Sequence, residues 1–178
     1  MKNEGKKFEQ AIKDSCPNYV LVYRLRDAAQ SFNQSGGNLR FSLKSPFDYI
    51  MWDSKHLILY AMELKTVDKK SISFEREKSE KGEIHYHQIV NLTKWNEYNG
   101  VCAGLLIEFR PIETTIFVPI SEFNALVKEL DKKSFNYSDL EKYSVHYLKI
   151  QQNKIRTRYR YDMESFFDEN FIYMEEDT

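Results

Sequence analysis

Two apolar, β-rich runs, residues 47–52 and 57–64, flank the polar tetrad Asp53, Ser54, Lys55 and His56, a pattern that predicts an antiparallel hairpin. No other feature constrains the chain as much, because a register centred on that turn sets Asp48 roughly opposite Glu63. Strand alternation puts Glu63 and Lys65 on one face and Met62 and Leu64 on the other. Two carboxylates and a lysine then converge. Asp48 has apolar neighbours, where an unpaired charge is costly to bury, so something should compensate it. Paired carboxylates suit a hard divalent cation, which keeps several waters and binds phosphate oxygens. The lysine ammonium can orient or help deprotonate one such water. The competing reading is an exposed, salt-bridged Glu-x-Lys pair on a strand.

Around the hairpin the chain alternates helical and strand patterns. Residues 4–14 read as a helix with Asn3 as N-cap and Phe8, Ala11 and Ile12 on one face, ended by Pro17. Residues 19–25 are strand-like, and 27–45 form a polar loop or loose hairpin around Gly36 and Gly37. Residues 66–83 are charge-dense and flexible in composition. A helix is expected over 84–98, ending at Asn99-Gly100. Strands follow over 101–109 and 114–118, then a helix over 121–130 and short mixed elements to 148. This order predicts an α/β fold: a mixed central sheet flanked by helices.

The 178 residues and 42% hydrophobic content fit one domain with a real core. No apolar run approaches the roughly 18 residues needed to span a bilayer. Residues 1–7 lack the apolar core of a signal peptide, so neither membrane insertion nor export is expected. Cys16 and Cys102 lie far apart without CxxC spacing, which argues for a reducing, cytoplasmic compartment and against a disulfide framework or zinc cluster. The net charge of −1 conceals an asymmetry. Residues 162–178 hold seven acids and no Lys or Arg, leaving residues 1–161 with 26 basic and 20 acidic side chains. A basic body with an acidic tail permits a nucleic-acid partner. Five apolar residues of the tail, Phe166, Phe167, Phe171, Ile172 and Tyr173, suggest that part of it docks.

Further candidates lie outside the hairpin. Gln88 falls in the apolar stripe of Ile84, Leu92 and Trp95, where a buried amide needs a partner, either a strand carbonyl or the catalytic edge. His85 and His87, two apart on a helix, point to different sides and do not make a paired metal site, although His85 can border the site or touch DNA. Glu9 can approach the site or be solvated. Arg24, Arg26, Arg40 and Lys44, interleaved with Tyr23, Phe32 and Phe41, suit phosphate contacts and base stacking, or an ordinary surface loop. Cys102 reads as a small buried hydrophobe.

Taken in order, Asn3-Glu4-Gly5-Lys6-Lys7-Phe8-Glu9, Pro46-Phe47-Asp48-Tyr49, Glu63-Leu64-Lys65-Thr66 and His87-Gln88 followed by Leu92 resemble the RecU-type Holliday junction resolvases of the PD-(D/E)xK nuclease superfamily. Lys132-Lys133-Ser134-Phe135-Asn136 with Asp139-Leu140 resembles the C-terminal part of the shorter, phage-encoded relatives. The resemblance implies a restriction-endonuclease-like sheet over residues 1–150, followed by a basic-then-acidic extension over 151–178. It also implies a homodimeric, metal-dependent endonuclease of recombination and repair that cuts four-way DNA junctions. Asp48 and Glu63, with the Leu64 carbonyl, would bind Mg²⁺, with Mn²⁺ able to substitute. Lys65 would serve the attacking water, and Glu9 and Gln88 match the family's first-helix acid and helix glutamine. The rivals are a restriction-like or repair nuclease of the same superfamily, and an inactive DNA-binding recombination mediator. The segment 27–44 need not form the stalk that bacterial members insert into the junction.

Overall fold

The hairpin foreseen around residues 53–56 is the middle of the molecule. In the computed structural model, which describes residues 4–26, 28–31, 40–156 and 158–176 and the side chains of 4–26, 44–156 and 159–175, β4 (Tyr49–Asp53) pairs antiparallel with β5 (Ile58–Val67). Asp53 pairs with Ile58 and Tyr49 with Met62, a register that sets position 48 opposite 63. Asp53 closes the turn: its Oδ1 accepts the Lys55 and His56 amides and its Oδ2 meets His56 Nδ1 at 2.7 Å. These are the local bonds that make Asp a turn residue.

The chain begins with α1 (Glu4–Ser15) and β1 (Val20–Arg24), which pairs antiparallel with β4 at the sheet edge. β2 (Ala28–Ser31) and β3 (Arg40–Leu43) pair with each other, so the polar segment 27–45 includes a loose hairpin. Beyond β5 come β6 (Ser71–Ser73), α2 (Tyr86–Trp95), β7 (Val101–Phe109), β8 (Thr114–Pro119) and α3 (Ile120–Glu129). The chain then forms β9 (Ser134–Asn136), α4 (Tyr137–Lys142), β10 (Leu148–Ile150), β11 (Gln152–Ile155), β12 (Arg158–Tyr161) and α5 (Met163–Glu176). The central sheet runs β1-β4-β5-β7-β8-β10. Only its β5–β7 pair is parallel, and α2 lies in the crossover such a pair requires. The α/β class with a mixed central sheet flanked by helices is thus the one expected from the sequence.

Each face of the sheet has its own core. On one, Ala61, Val67, Leu105 and Ile107 pack with Leu92 of α2, Phe123 of α3 and Leu140 of α4; on the other, Tyr60, Met62 and Leu64 pack with Phe8 and Ile12 of α1 and Phe166 and Phe167 of α5. Strand alternation therefore sends Glu63 and Lys65 to the α2 side. Gly104 on β7 makes room for the second core, since a Cβ there would lie 2.5 Å from the Phe117 ring.

Two expectations need correction. The charge-dense stretch 66–83 is ordered around β6, with Ile72 and Phe74 fully buried, because Ser71-Ile72-Ser73-Phe74 alternates as a strand does and its two apolar residues anchor the segment. The helix expected over 84–98 is shorter at both ends. Ile84 bridges Phe74, and Asn96 leaves the helix to accept the Ala103 amide with its side chain. The acidic segment after 161 docks, as its apolar residues suggest: α5 buries Phe166 and Phe167, stacks Phe171 on His56 and pairs Asp168 with Lys55 at 2.6 Å. Residues on both sides of position 150 contribute to the second core. Asn3, Phe32, Gly36 and Gly37 lie outside the described residues. Among those described, no helix is long and apolar enough to cross a membrane.

Candidate active site

Asp48 is positioned by what surrounds it in the sequence. Phe47 is buried edge-on against Trp95 of α2, with ring centroids 5.1 Å apart, and this anchors the residue just before β4. The Asp48 carbonyl accepts the Leu25 amide at 2.8 Å, and its Oδ2 accepts the Leu64 amide at 3.0 Å. The β4 ladder has ended there, so the Asp48 side chain takes the acceptor position a further strand residue would have filled.

Opposite it, Glu63 is 2% exposed. Its Oε1 accepts from Gln88 Nε2 at 2.6 Å and from Lys65 Nζ at 2.9 Å, whereas its buried Oε2 has no hydrogen-bond partner. Burial, and then the Asp48 carboxylate, push Glu63 up to about 8 against the opposing pull of Lys65. Gln88 is held at both ends, because its Oε1 accepts the His85 amide at 2.8 Å. The partner of its amide nitrogen is thus the Glu63 carboxylate and not a strand carbonyl.

Glu9 reaches this end of the sheet from α1 and is not solvated. Its Oε2 pairs with Arg24 Nε at 2.7 Å, and its pKa is raised by burial and then by Asp48, with Arg24 opposing. Burial, followed by Glu9, pushes the Tyr49 phenol up to about 12. Arg24 is therefore engaged with a carboxylate. Arg26 and Lys44 are exposed on either side of the β2–β3 hairpin, and the side chain of Arg40 lies outside the described residues.

At the head of α2 the structure departs from the helical spacing assumed for the two histidines. His85 is the N-cap, with extended backbone at φ −82° and ψ 146°, so its ring stacks on that of His87 with centroids 5.6 Å apart and 16° between planes. His85 Nδ1 lies 2.8 Å from Glu75 Oε1. Glu75 escaped notice in the sequence because it sits among many charges. The signal that marks it is the alternation Ser71-Ile72-Ser73-Phe74 just before it, a strand pattern that leads into a fixed position. The family-like residues Lys132, Asn136 and Asp139 have a local explanation. Asn136 caps α4 by accepting the Asp139 amide at 2.9 Å, and Asp139 Oδ2 accepts the Asn136 amide and Lys132 Nζ.

The chemistry of this donor set fits a hard cation. Glu63 Oε2 is a buried carboxylate oxygen without a donor, and a second carboxylate, Asp48, stands beside it. A lone buried acceptor of this kind is costly unless a cation or proton answers it. Among the described residues no group of three or more His, Cys, Asp or Glu side chains could hold a metal ion, so these two side chains would need backbone and solvent oxygens to complete a shell.

Comparison with known proteins bears on this arrangement. The family model described as "Recombination protein U" matches residues 41–160. The chain belongs to that family. Asp48, Glu63, Lys65 and Gln88 all lie within the matched span, as do Glu75 and His85. A solved structure of Hjc, a Holliday junction resolvase from Archaeoglobus fulgidus, is similar over 76% of this chain and 90% of its own, at 14% identity and a TM-score of 0.44. The curated proteins contain no match to the sequence.

Because Glu63 is raised, the folded protein binds more protons than the unfolded chain between pH 4.5 and about 8, so this group costs stability progressively as pH rises through that window. Glu63→Gln should therefore melt at a higher temperature than the parent in chelator at pH 8. The gain, on the order of 1–3 kcal/mol, should disappear near pH 4. Thermal denaturation at both pH values checks this, and a Gln variant less stable than the parent at pH 8 would contradict it.

Proposed function

We propose that the protein is a divalent-metal-dependent DNA endonuclease that resolves four-way junctions. The observation that carries the reading is the convergence of Asp48 and Glu63 beside Lys65, with Gln88 bracing Glu63 from α2. Asp48, Glu63 and the Leu64 carbonyl would hold Mg²⁺, or Mn²⁺ in its place; the bound ion supplies Lewis-acid polarisation of the scissile phosphate. Lys65, 18% exposed and paired with Glu63, would orient the attacking water and donate to a phosphate oxygen. Gln88 keeps the Glu63 carboxylate from rotating. The Glu9–Arg24 pair borders Asp48 and holds a guanidinium where a neighbouring phosphate would pass. Family membership favours recombination intermediates over restriction sites, and a cytoplasmic location goes with this reading. An inactive mediator on the same fold is disfavoured because Asp48, Glu63 and Lys65 are all present and in contact range.

Symmetric cutting of a junction requires two active sites facing opposed strands, and a two-fold dimer supplies them. The surface that suits this role is the edge of the sheet on the β1 side. There Leu21 and Tyr23 are 67% and 63% exposed, with Trp52 across from Leu21 at 36%. They form an apolar patch beside Arg24.

Lys65→Ala and Glu63→Gln should each abolish cleavage of a labelled four-way junction in Mg²⁺ while leaving binding nearly intact. Flap and linear duplex substrates run alongside separate junction resolution from general nuclease activity. Cleavage persisting in a pure Glu63→Gln preparation would sink the assignment. Light scattering at micromolar concentration should give a dimer for the parent and a monomer for Leu21→Asp combined with Trp52→Asp; a monomeric parent that still makes paired incisions would count against the dimer.

A further inference from the structure

The head of α2 carries a built cluster that the cleavage chemistry does not use. Glu75, 9% exposed, accepts the Tyr86 amide at 2.8 Å, the Gly82 amide at 3.2 Å and His85 Nδ1 at 2.8 Å. Burial by itself would raise this carboxyl, but those three donors outweigh it and hold the group below its ordinary range. Gly82 is what lets the loop close over Glu75, since a Cβ there would sit 2.6 Å from the Phe74 carbonyl carbon. A carboxylate on Nδ1 fixes the imidazole tautomer and turns Nε2 outward, on a side chain 41% exposed.

His85 is also tied to the catalytic carboxylate. Its amide donates to Gln88 Oε1, and Gln88 Nε2 donates to Glu63. Beside it, His87 faces Lys44 from before β4, Lys65 from β5 and His85, with Glu75 as the opposing charge. Burial, then Lys44 and His85, hold its pKa below the ordinary value. This corner of the cleft carries excess positive charge, and an anion would complete it. A metal would not fit between the two histidines: His85 Nδ1 is taken by Glu75, and rings stacked 16° from parallel do not aim their nitrogens at one point.

We propose that Glu75, His85, His87 and Lys44 form a binding site for a second phosphodiester of the strand held in the catalytic site. Glu75 holds the His85 ring by its Nδ1 with Nε2 turned outward, and His87 gains its proton when the phosphate arrives. The site grips DNA more tightly in acid than in base. This inference rests on the nuclease reading and adds to it a phosphate subsite.

The test is the affinity of a fluorescently labelled four-way junction in chelator, measured from pH 5.5 to 8.5 at two salt concentrations. For the parent, affinity should fall about fivefold to tenfold across the histidine range. His87→Asn leaves the Glu75–His85–Gln88 bonds untouched. It should bind more weakly at pH 6, equal the parent at pH 8.5, and lower the salt slope by about one. A His87→Asn protein that keeps both the parent's affinity at pH 6 and its pH profile would overturn the site, as would a parent whose binding ignores pH. A parent that neither binds nor cuts the junction at any pH would overturn the nuclease reading and this inference with it, so the two failures are distinguishable.

Discussion

A carboxylate oxygen buried without a donor is the constraint around which this end of the molecule is organised. Glu63 Oε2 is buried on the α2 side of β5, where Asp48 adds to the cost of its charge and Lys65 reduces it. Gln88 and Lys65 donate to the other oxygen, while Asp48 spends its own Oδ2 on the Leu64 amide. An arrangement made only for stability would have filled this position with an apolar residue, as on neighbouring β5 positions such as Ala61. The sheet topology makes the cluster available: β4 ends at Tyr49 while β5 continues to Val67 alongside β7, leaving the β5 edge free of a partner strand just where the two carboxylates meet.

Much of this was legible from the sequence, because a hairpin register follows from its turn. The tetrad at 53–56 and the alternation of 47–52 and 57–64 suffice to oppose Asp48 and Glu63 and to put Lys65 on the Glu63 face. Gln88 was visible for a related reason: a polar amide within an apolar helical stripe has to find a buried partner. Family motifs and local physics agree at these positions, since the motif residues are those that the register and the stripe select.

What was not legible lies where residues leave regular structure. Helical spacing separates His85 from His87, but Ile84 is drawn into a bridge with Phe74 and His85 becomes an extended N-cap, so the two rings stack. Glu75 could not be distinguished from its charged neighbours without knowing that Gly82 folds back over it. Glu9 reads as solvated from α1 alone, and only the approach of β1 supplies Arg24. The acidic C-terminal segment illustrates composition competing with burial. Phe166 and Phe167 made its docking legible, but not the helix that turns them into the core and leaves Glu164 and Glu169 exposed.

The central claim is that Asp48 and Glu63 form one cation site, and the most direct measurement is calorimetric titration of the protein with Mn²⁺ in the absence of DNA. The parent should bind with a defined stoichiometry per chain, and Asp48→Asn and Glu63→Gln should each lose that binding while Glu75→Gln keeps it. A parent that takes up no Mn²⁺, or an Asp48→Asn protein that binds it as the parent does, would contradict the account.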